Sequence, residues 1–107
     1  MIDRKAVYNK YGGHCAYCGE EIEFKAMQVD HIIAQDRGGS DDIENLNPAC
    51  RSCNATKNTY SVEKFRTRLV EDVNRMRRDS SKFRILERFG LIKEVKKELK
   101  FYFEGKD

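Results

Sequence analysis

Cys15-Ala16-Tyr17-Cys18 and Cys50-Arg51-Ser52-Cys53, two Cys-x-x-Cys pairs with 31 residues between them, decide how this chain folds. Four thiolates at that spacing suit one tetrahedral Zn²⁺, and binding it would pin the intervening chain into a closed loop. Four sulfurs fill the coordination sphere, so the ion carries no activated water and its role is structural. A redox dithiol or incidental core cysteines would not require two matched pairs. Closure would also return Asn54, directly after the last cysteine, toward Asp30-His31.

The rest of the composition agrees with a stapled fold. At 107 residues, 39% apolar and 36% charged, the chain builds only a small core, and such chains commonly need a metal or disulfide clamp. Met1-Ile2-Asp3-Arg4-Lys5 turns polar within three residues, which gives no signal-peptide pattern. Nothing approaches the ~20 apolar residues of a membrane span. The chain therefore reads as cytoplasmic, without a membrane, and a reducing compartment favours thiolates on zinc over two disulfides.

Charge is divided along the chain. Residues 1–60 hold 7 Lys and Arg against 9 Asp and Glu, whereas residues 61–107 hold 14 against 9. Four zinc-bound thiolates would make the first part more negative still. Any attraction to a polyanion must then come from the second part or from a further bound cation. The same boundary divides the chain into a metal-stapled unit, 1–60, and a basic, mainly helical extension, 61–107.

Local signals set the element order. Asp3 can cap a short helix with Val7 and Tyr8 inward, ended near Gly12. Met27–Ile33 has strand character, Asp36–Asn47 is a loop by composition, and Leu46–Ala49 is a short return strand whose Pro48 belongs at an edge. A helix is expected to open at Asn54. Val62, Phe65, Leu69, Val73 and Met76 then recur at steps of 3, 4, 4 and 3 behind Ser61, predicting one long amphipathic helix. Ser80 or Ser81 caps another, ended by Gly90, and Leu99–Phe103 reads as a terminal strand. Lys93–Lys100 is ambiguous between helix and strand.

Between the cysteine pairs lie the groups that carry chemistry. A neutral imidazole at His31 can take a proton from water. Asp30 offers a charged oxygen and Asn54 a neutral one, a pair that suits Mg²⁺ with retained waters. Phosphodiester cleavage needs a base on the attacking water and a Lewis acid near the leaving oxygen. Neighbouring strand residues point to opposite faces, so Asp30 and His31 serve one site only where the strand twists, bulges or ends.

Taken together, Cys15-x-x-Cys18-Gly19, Val29-Asp30-His31-Ile32, Arg37-Gly38-Gly39-Ser40, Asn45-Leu46 and Cys50-x-x-Cys53-Asn54-x-x-Lys57 resemble the HNH endonucleases over residues 13–57. The resemblance implies an α+β chain built on the ββα-metal fold. It assigns His31 as general base and Asp30 and Asn54 as ligands of a catalytic divalent metal. Asn45 would be the amide that braces the loop between the strands. Asn54 stands where many members carry His, the HNN variant, which favours Mg²⁺ or Mn²⁺. Cleavage in this family leaves a 5′-phosphate and a 3′-hydroxyl, in small phage or mobile-element enzymes among others.

Double-stranded DNA is the expected substrate, with Lys57, Arg66, Arg75, Arg77 and Arg78 as candidate phosphate contacts that read no sequence. The apolar stripe of the long helix packs on the stapled unit or on Phe83–Phe103. Alternatively it forms a homodimer surface or meets a phage packaging or host protein. Asp41, Asp42 and Glu44 miss the EF-hand spacing and read as loop carboxylates. The rival function is a non-catalytic, zinc-dependent nucleic-acid-binding or accessory module. Such a module has no need of Asp30, His31 and Asn54 together.

Overall fold

A computed structural model describes residues 1–105 and shows an α+β chain with principal extents of 50 × 28 × 25 Å. The first helix, α1 (Arg4–Asn9), starts where the Asp3 carboxylate accepts the amides of Lys5 and Ala6. Its Val7 is fully buried with Met27 and Leu46 in one of two small cores. Strands β1 (Gln28–His31) and β2 (Leu46–Ala49) pair antiparallel, with Val29 opposite Pro48 and Asp30 opposite Asn47. Pro48 fits because a two-stranded sheet has only edges, and its carbonyl accepts the amide of Ala16.

Helix α2 (Arg51–Lys57) begins three residues earlier than the sequence suggests. Cys50 replaces a hydroxyl as the cap, its sulfur accepting the Cys53 amide at 3.3 Å. The second cysteine pair therefore straddles the first turn of the helix. Helices α3 (Val62–Asp79) and α4 (Ser81–Arg88) start at the Ser61 and Ser80 caps, whose hydroxyls accept the amides of Lys64 and Phe83.

The apolar stripe of α3 divides along its length. Phe65 is fully buried, while Val62 and Leu69 pack at the margin of the same cluster. Farther along, Val73 lines an apolar groove of about 780 Å³ and Met76 is exposed. Phe65 stacks on Phe101 at a centroid distance of 5.0 Å, and both meet the edge of Tyr17. Tyr17 sits inside the first Cys-x-x-Cys pair, so this core joins the knuckle to α3 and to the C-terminal segment.

The expected terminal strand over Leu99–Phe103 is not formed. Residues 93–101 run without regular structure into a single tight turn, Tyr102–Gly105. The amides of Tyr102 and Phe103 instead bond to the carbonyls of Tyr17 and Ala16. The alternating apolar residues that resemble a strand are aromatic anchors into the knuckle. Lys93–Lys100 is neither helix nor strand.

Phe65→Ala should cost about 3–5 kcal/mol, as removal of a buried phenyl ring does. Chemical denaturation of the zinc-loaded chain measures it.

Candidate active site

The four sulfurs of Cys15, Cys18, Cys50 and Cys53 lie within 4.8 Å of one another, with Cys18 and Cys50 at 3.9 Å. A tetrahedral Zn²⁺ with ~2.3 Å bonds needs sulfurs about 3.8 Å apart, so the cluster fits the ion. Its acid–base state points the same way. The Cys15 thiol is drawn down to about 4, chiefly by the hydrogen bond from Cys53, while burial opposes it. Burial and the neighbouring Cys15 charge push Cys18 up to about 11, and the bond to Cys15 drives Cys53 upward as well. One thiolate suppresses its neighbours, and all four ionise together only around a cation.

Beside the knuckle, β1 delivers Asp30 into the interior. The carboxylate is 3% exposed: Oδ1 accepts from Lys57 Nζ at 3.1 Å, and Oδ2 accepts from the Tyr17 hydroxyl. Lys57 is wholly buried, and its ammonium also donates to the His31 carbonyl at 3.1 Å. Burial raises the Asp30 carboxyl above its usual range, with Tyr17 and Lys57 pulling against that rise. Lys57, expected at a DNA phosphate, is enclosed here because the buried carboxylate needs a counter-charge.

Strand β1 ends at His31, and the chain bends at Ile32 and Ile33. That ending satisfies the geometric condition on neighbouring strand residues. Asp30 and His31 line one open pocket of about 340 Å³, together with Asn54, Gln35, Asp36 and Thr59. Asn54 lies one turn before Lys57 on α2 and comes to the same pocket. Its side-chain amide makes no hydrogen bond to any other described residue, so its oxygen is open to a ligand.

The loop from Ile32 to Asn45 is braced from within. Asn45 Oδ1 accepts the Ile33 amide at 2.8 Å, and Nδ2 donates to the carbonyls of Ile33 and Ser40 at 3.0 and 2.8 Å. Gly39 is required there, because a Cβ would sit 1.7 Å from the Ile33 oxygen. The braced loop carries Asp41, whose Oδ1 lies 2.7 Å from His31 Nε2. That contact lowers the Asp41 carboxyl below its ordinary range. Sequence reading passed over Asp41 as a loop carboxylate and left Tyr17 unremarked. No periodicity links either to its partner, and only the motif around Gly38-Gly39 hints that the loop folds back.

The candidate DNA contacts of α3 are ion-paired. Arg66 meets Glu104 and Glu63, Arg75 meets Asp72 and Glu71, Arg77 meets Glu87 and Glu94, and Arg78 meets Asp79. Arg66 also donates to the Leu99 carbonyl and lies over the Phe101 ring, which ties down the C-terminal segment. Among the described residues, Lys82, Lys93, Lys96 and Lys97 are exposed and have no acidic partner.

Residues 15–59 match the HNH endonuclease family. The chain is 35% identical over 63 residues to YoqL, an SPbeta prophage-derived protein of Bacillus subtilis (strain 168) that carries an HNH endonuclease name. That match covers 51% of this chain and 27% of the relative. It is also 41% identical over 44 residues to the CRISPR-associated endonuclease Cas9 of Corynebacterium diphtheriae, covering 40% of this chain and 4% of that protein. The chain thus spans about a quarter of the first relative's length and a small fraction of the second's. Among solved structures, the Type II-C Cas9 enzyme from Actinomyces naeslundii shares the fold, with a TM-score of 0.56 at 24% identity over 79% of this chain and 10% of that one.

Two outcomes test this geometry. Cys18→Ser should abolish stoichiometric zinc and the cooperative melting transition together, read by metal analysis and calorimetry. Lys57→Met should cost about 3–5 kcal/mol at neutral pH, because it strands a buried carboxylate. Since burial holds the folded Asp30 carboxyl above its unfolded value, the folded state favours the proton. The penalty should therefore grow as pH rises through that raised value and shrink as pH falls. Denaturation curves across pH check the sign.

Proposed function

We propose that this chain, whose residues 15–59 match the HNH endonuclease family, hydrolyses phosphodiester bonds of double-stranded DNA, with a divalent cation held by Asp30 and Asn54. The observation that carries the reading is the single pocket shared by Asp30, His31 and Asn54. A pure binding module has no use for an imidazole set beside a carboxylate and an unengaged amide.

The donors fit a hard cation. Asp30 contributes a charged oxygen and Asn54 a neutral one, which leaves coordination positions for waters and a phosphate, as Mg²⁺ or Mn²⁺ prefers. When bound, that ion supplies Lewis-acid stabilisation to the departing oxygen. Lys57 and Tyr17 hold the Asp30 carboxylate in place while keeping lone pairs of both oxygens free.

His31 performs the proton transfer. With Nε2 engaged by Asp41, the lone pair of Nδ1 accepts a proton from water. The water oxygen forms a bond to phosphorus as the bond to the 3′ oxygen breaks, giving a 5′-phosphate and, after protonation of the leaving oxygen, a 3′-hydroxyl. Residues 1–60 are the cleaving unit in this reading. Residues 61–107 supply the positive field, through the unpaired lysines more than through the paired arginines, since neutralised charges release fewer counterions.

Plasmid cleavage in Mg²⁺ or Mn²⁺ is the test. His31→Ala should lower the rate by about 100-fold or more, in the range of a lost general base, with zinc content and DNA binding unchanged. Wild-type cleavage by that variant would overturn the assignment of the base. Failure of the wild-type protein to cut any nucleic acid would favour the binding-module alternative.

A further inference from the structure

We propose that Asp41 is a positioning residue for His31, fixing the imidazole in its Nε2–H tautomer through the 2.7 Å contact of Asp41 Oδ1 with Nε2. The inference rests on the reading of His31 as the base, and it adds a side chain from the connecting loop to that site.

An ionised carboxylate can only accept, so at this distance the proton sits on Nε2 and the lone pair on Nδ1. Left alone, a neutral imidazole populates both tautomers and its ring turns about χ2, and either freedom removes the base from the attacking water for part of the time. Asp41 removes both. It also places a negative charge against the imidazolium that forms when the base takes its proton, as the carboxylate of a serine-protease triad does.

The loop that carries Asp41 is built to hold it. Asn45 clamps the Ser40 carbonyl one residue before it, and the Ser40 hydroxyl accepts the Asp42 amide one residue after it. Gln35 donates to the same Oδ1 at 3.2 Å, which sets the carboxylate plane from the other side. Gly39 allows the loop to pass against the Ile33 carbonyl, where any side chain would push it away. Asn45 and Gly39 therefore act on the base indirectly, by holding the loop that positions it. The Asp41 side chain is about half exposed, 51%, against 18% for His31, so its field is partly screened and its effect is smaller than that of a buried triad carboxylate.

The experiment uses the zinc-loaded full chain and reads two quantities. Long-range proton–nitrogen NMR correlations report the tautomer of each of the two histidines, His14 and His31, with His31→Ala giving the assignment. Plasmid cleavage in Mg²⁺ gives kcat and KM. The wild type should show the Nε2–H form at His31. Asp41→Ala should shift it to a tautomer mixture and lower kcat about 10- to 100-fold, the range for losing a histidine's orienting partner, with KM, zinc content and melting midpoint little changed. Asp41→Asn keeps an acceptor oxygen and loses the charge, so it should retain the tautomer with an intermediate kcat.

An unchanged His31 tautomer in Asp41→Ala, or wild-type kcat in that variant, would overturn the proposal. Should Asp41→Ala fail to fold, wild-type kcat in Asp41→Asn overturns it instead. A wild-type protein that cuts nothing sinks the nuclease reading, while the tautomer still decides whether Asp41 sets the ring.

Discussion

A carboxylate withdrawn from water governs the arrangement of everything around it. Asp30 is buried at the junction of the first knuckle, β1 and α2, and ionised groups of that kind cost several kcal/mol to desolvate unless a partner is brought to them. Here the partners come from two directions, the Tyr17 hydroxyl from between Cys15 and Cys18 and the Lys57 ammonium from the end of α2. Lys57 reaches only if α2 leaves the second cysteine pair at one angle. Cys50, just before its first turn, and Cys53, within it, set that angle. Asn54 lies three residues before Lys57 and so shares its face, which brings its amide to the pocket as a consequence. The cysteine knuckle and the buried ion pair are thus two constraints on one helix, and together they aim its polar face at His31.

On the proposed reading the structural and the catalytic cation are different ions, and electrostatics supplies the reason. A sphere of four thiolates around Zn²⁺ is closed and carries net negative charge, so it neither activates water nor attracts a phosphate. In the reading given above, chemistry passes to a second ion on oxygen donors, which hold it loosely and leave room for substrate. The same bookkeeping bears on α3. Arg66, Arg75, Arg77 and Arg78 stand opposite glutamates and aspartates of their own chain, and Arg66 fastens the Leu99 to Glu104 segment over Phe101. Exposed pairs of this sort contribute little to stability one by one. Two of them, Arg66 with Glu104 and Arg77 with Glu94, hold the C-terminal segment. Among the described residues, positive charge without an acidic partner remains on Lys82, Arg84 and Arg88 of α4 and on Lys93, Lys96 and Lys97 after it.

Much of this was legible in the sequence, and the illegible remainder has physical causes. Paired cysteines, serine caps and a helical repeat are local, and they gave the knuckle, α3 and α4 almost to the residue. The start of α2 was missed because a cysteine sulfur served as its cap, a role that sequence rules assign to hydroxyls and carboxylates. Leu99–Phe103 was misread because alternation records only which residues are apolar. It does not say whether the backbone finds a strand to pair with, and here two amides find the knuckle instead. Lys57 looked like a surface lysine, since its burial depends on a carboxylate 27 positions away. Asp41 escaped for the same reason, its partner lying 10 positions back across a loop. Long-range polar pairing has no periodic signature.

The end of β1 settles how two adjacent residues can serve one pocket. In a continuing strand the alternation of side chains would send Asp30 inward and His31 to the far face, and the two would not share a pocket. Stopping the strand at His31 frees the backbone that follows from the pleat, and the Lys57 ammonium donates to the His31 carbonyl at 3.1 Å. The freed segment then bends into the loop, which returns through Gly39 and Asn45 to face the imidazole from its other side. A lysine that looks like a simple counter-ion therefore makes two contacts with one ammonium, one to the Asp30 carboxylate and one to the His31 carbonyl. That double contact ties the end of α2 to the end of β1, and so short a hairpin brings Asp30 and His31 to one pocket as neighbours.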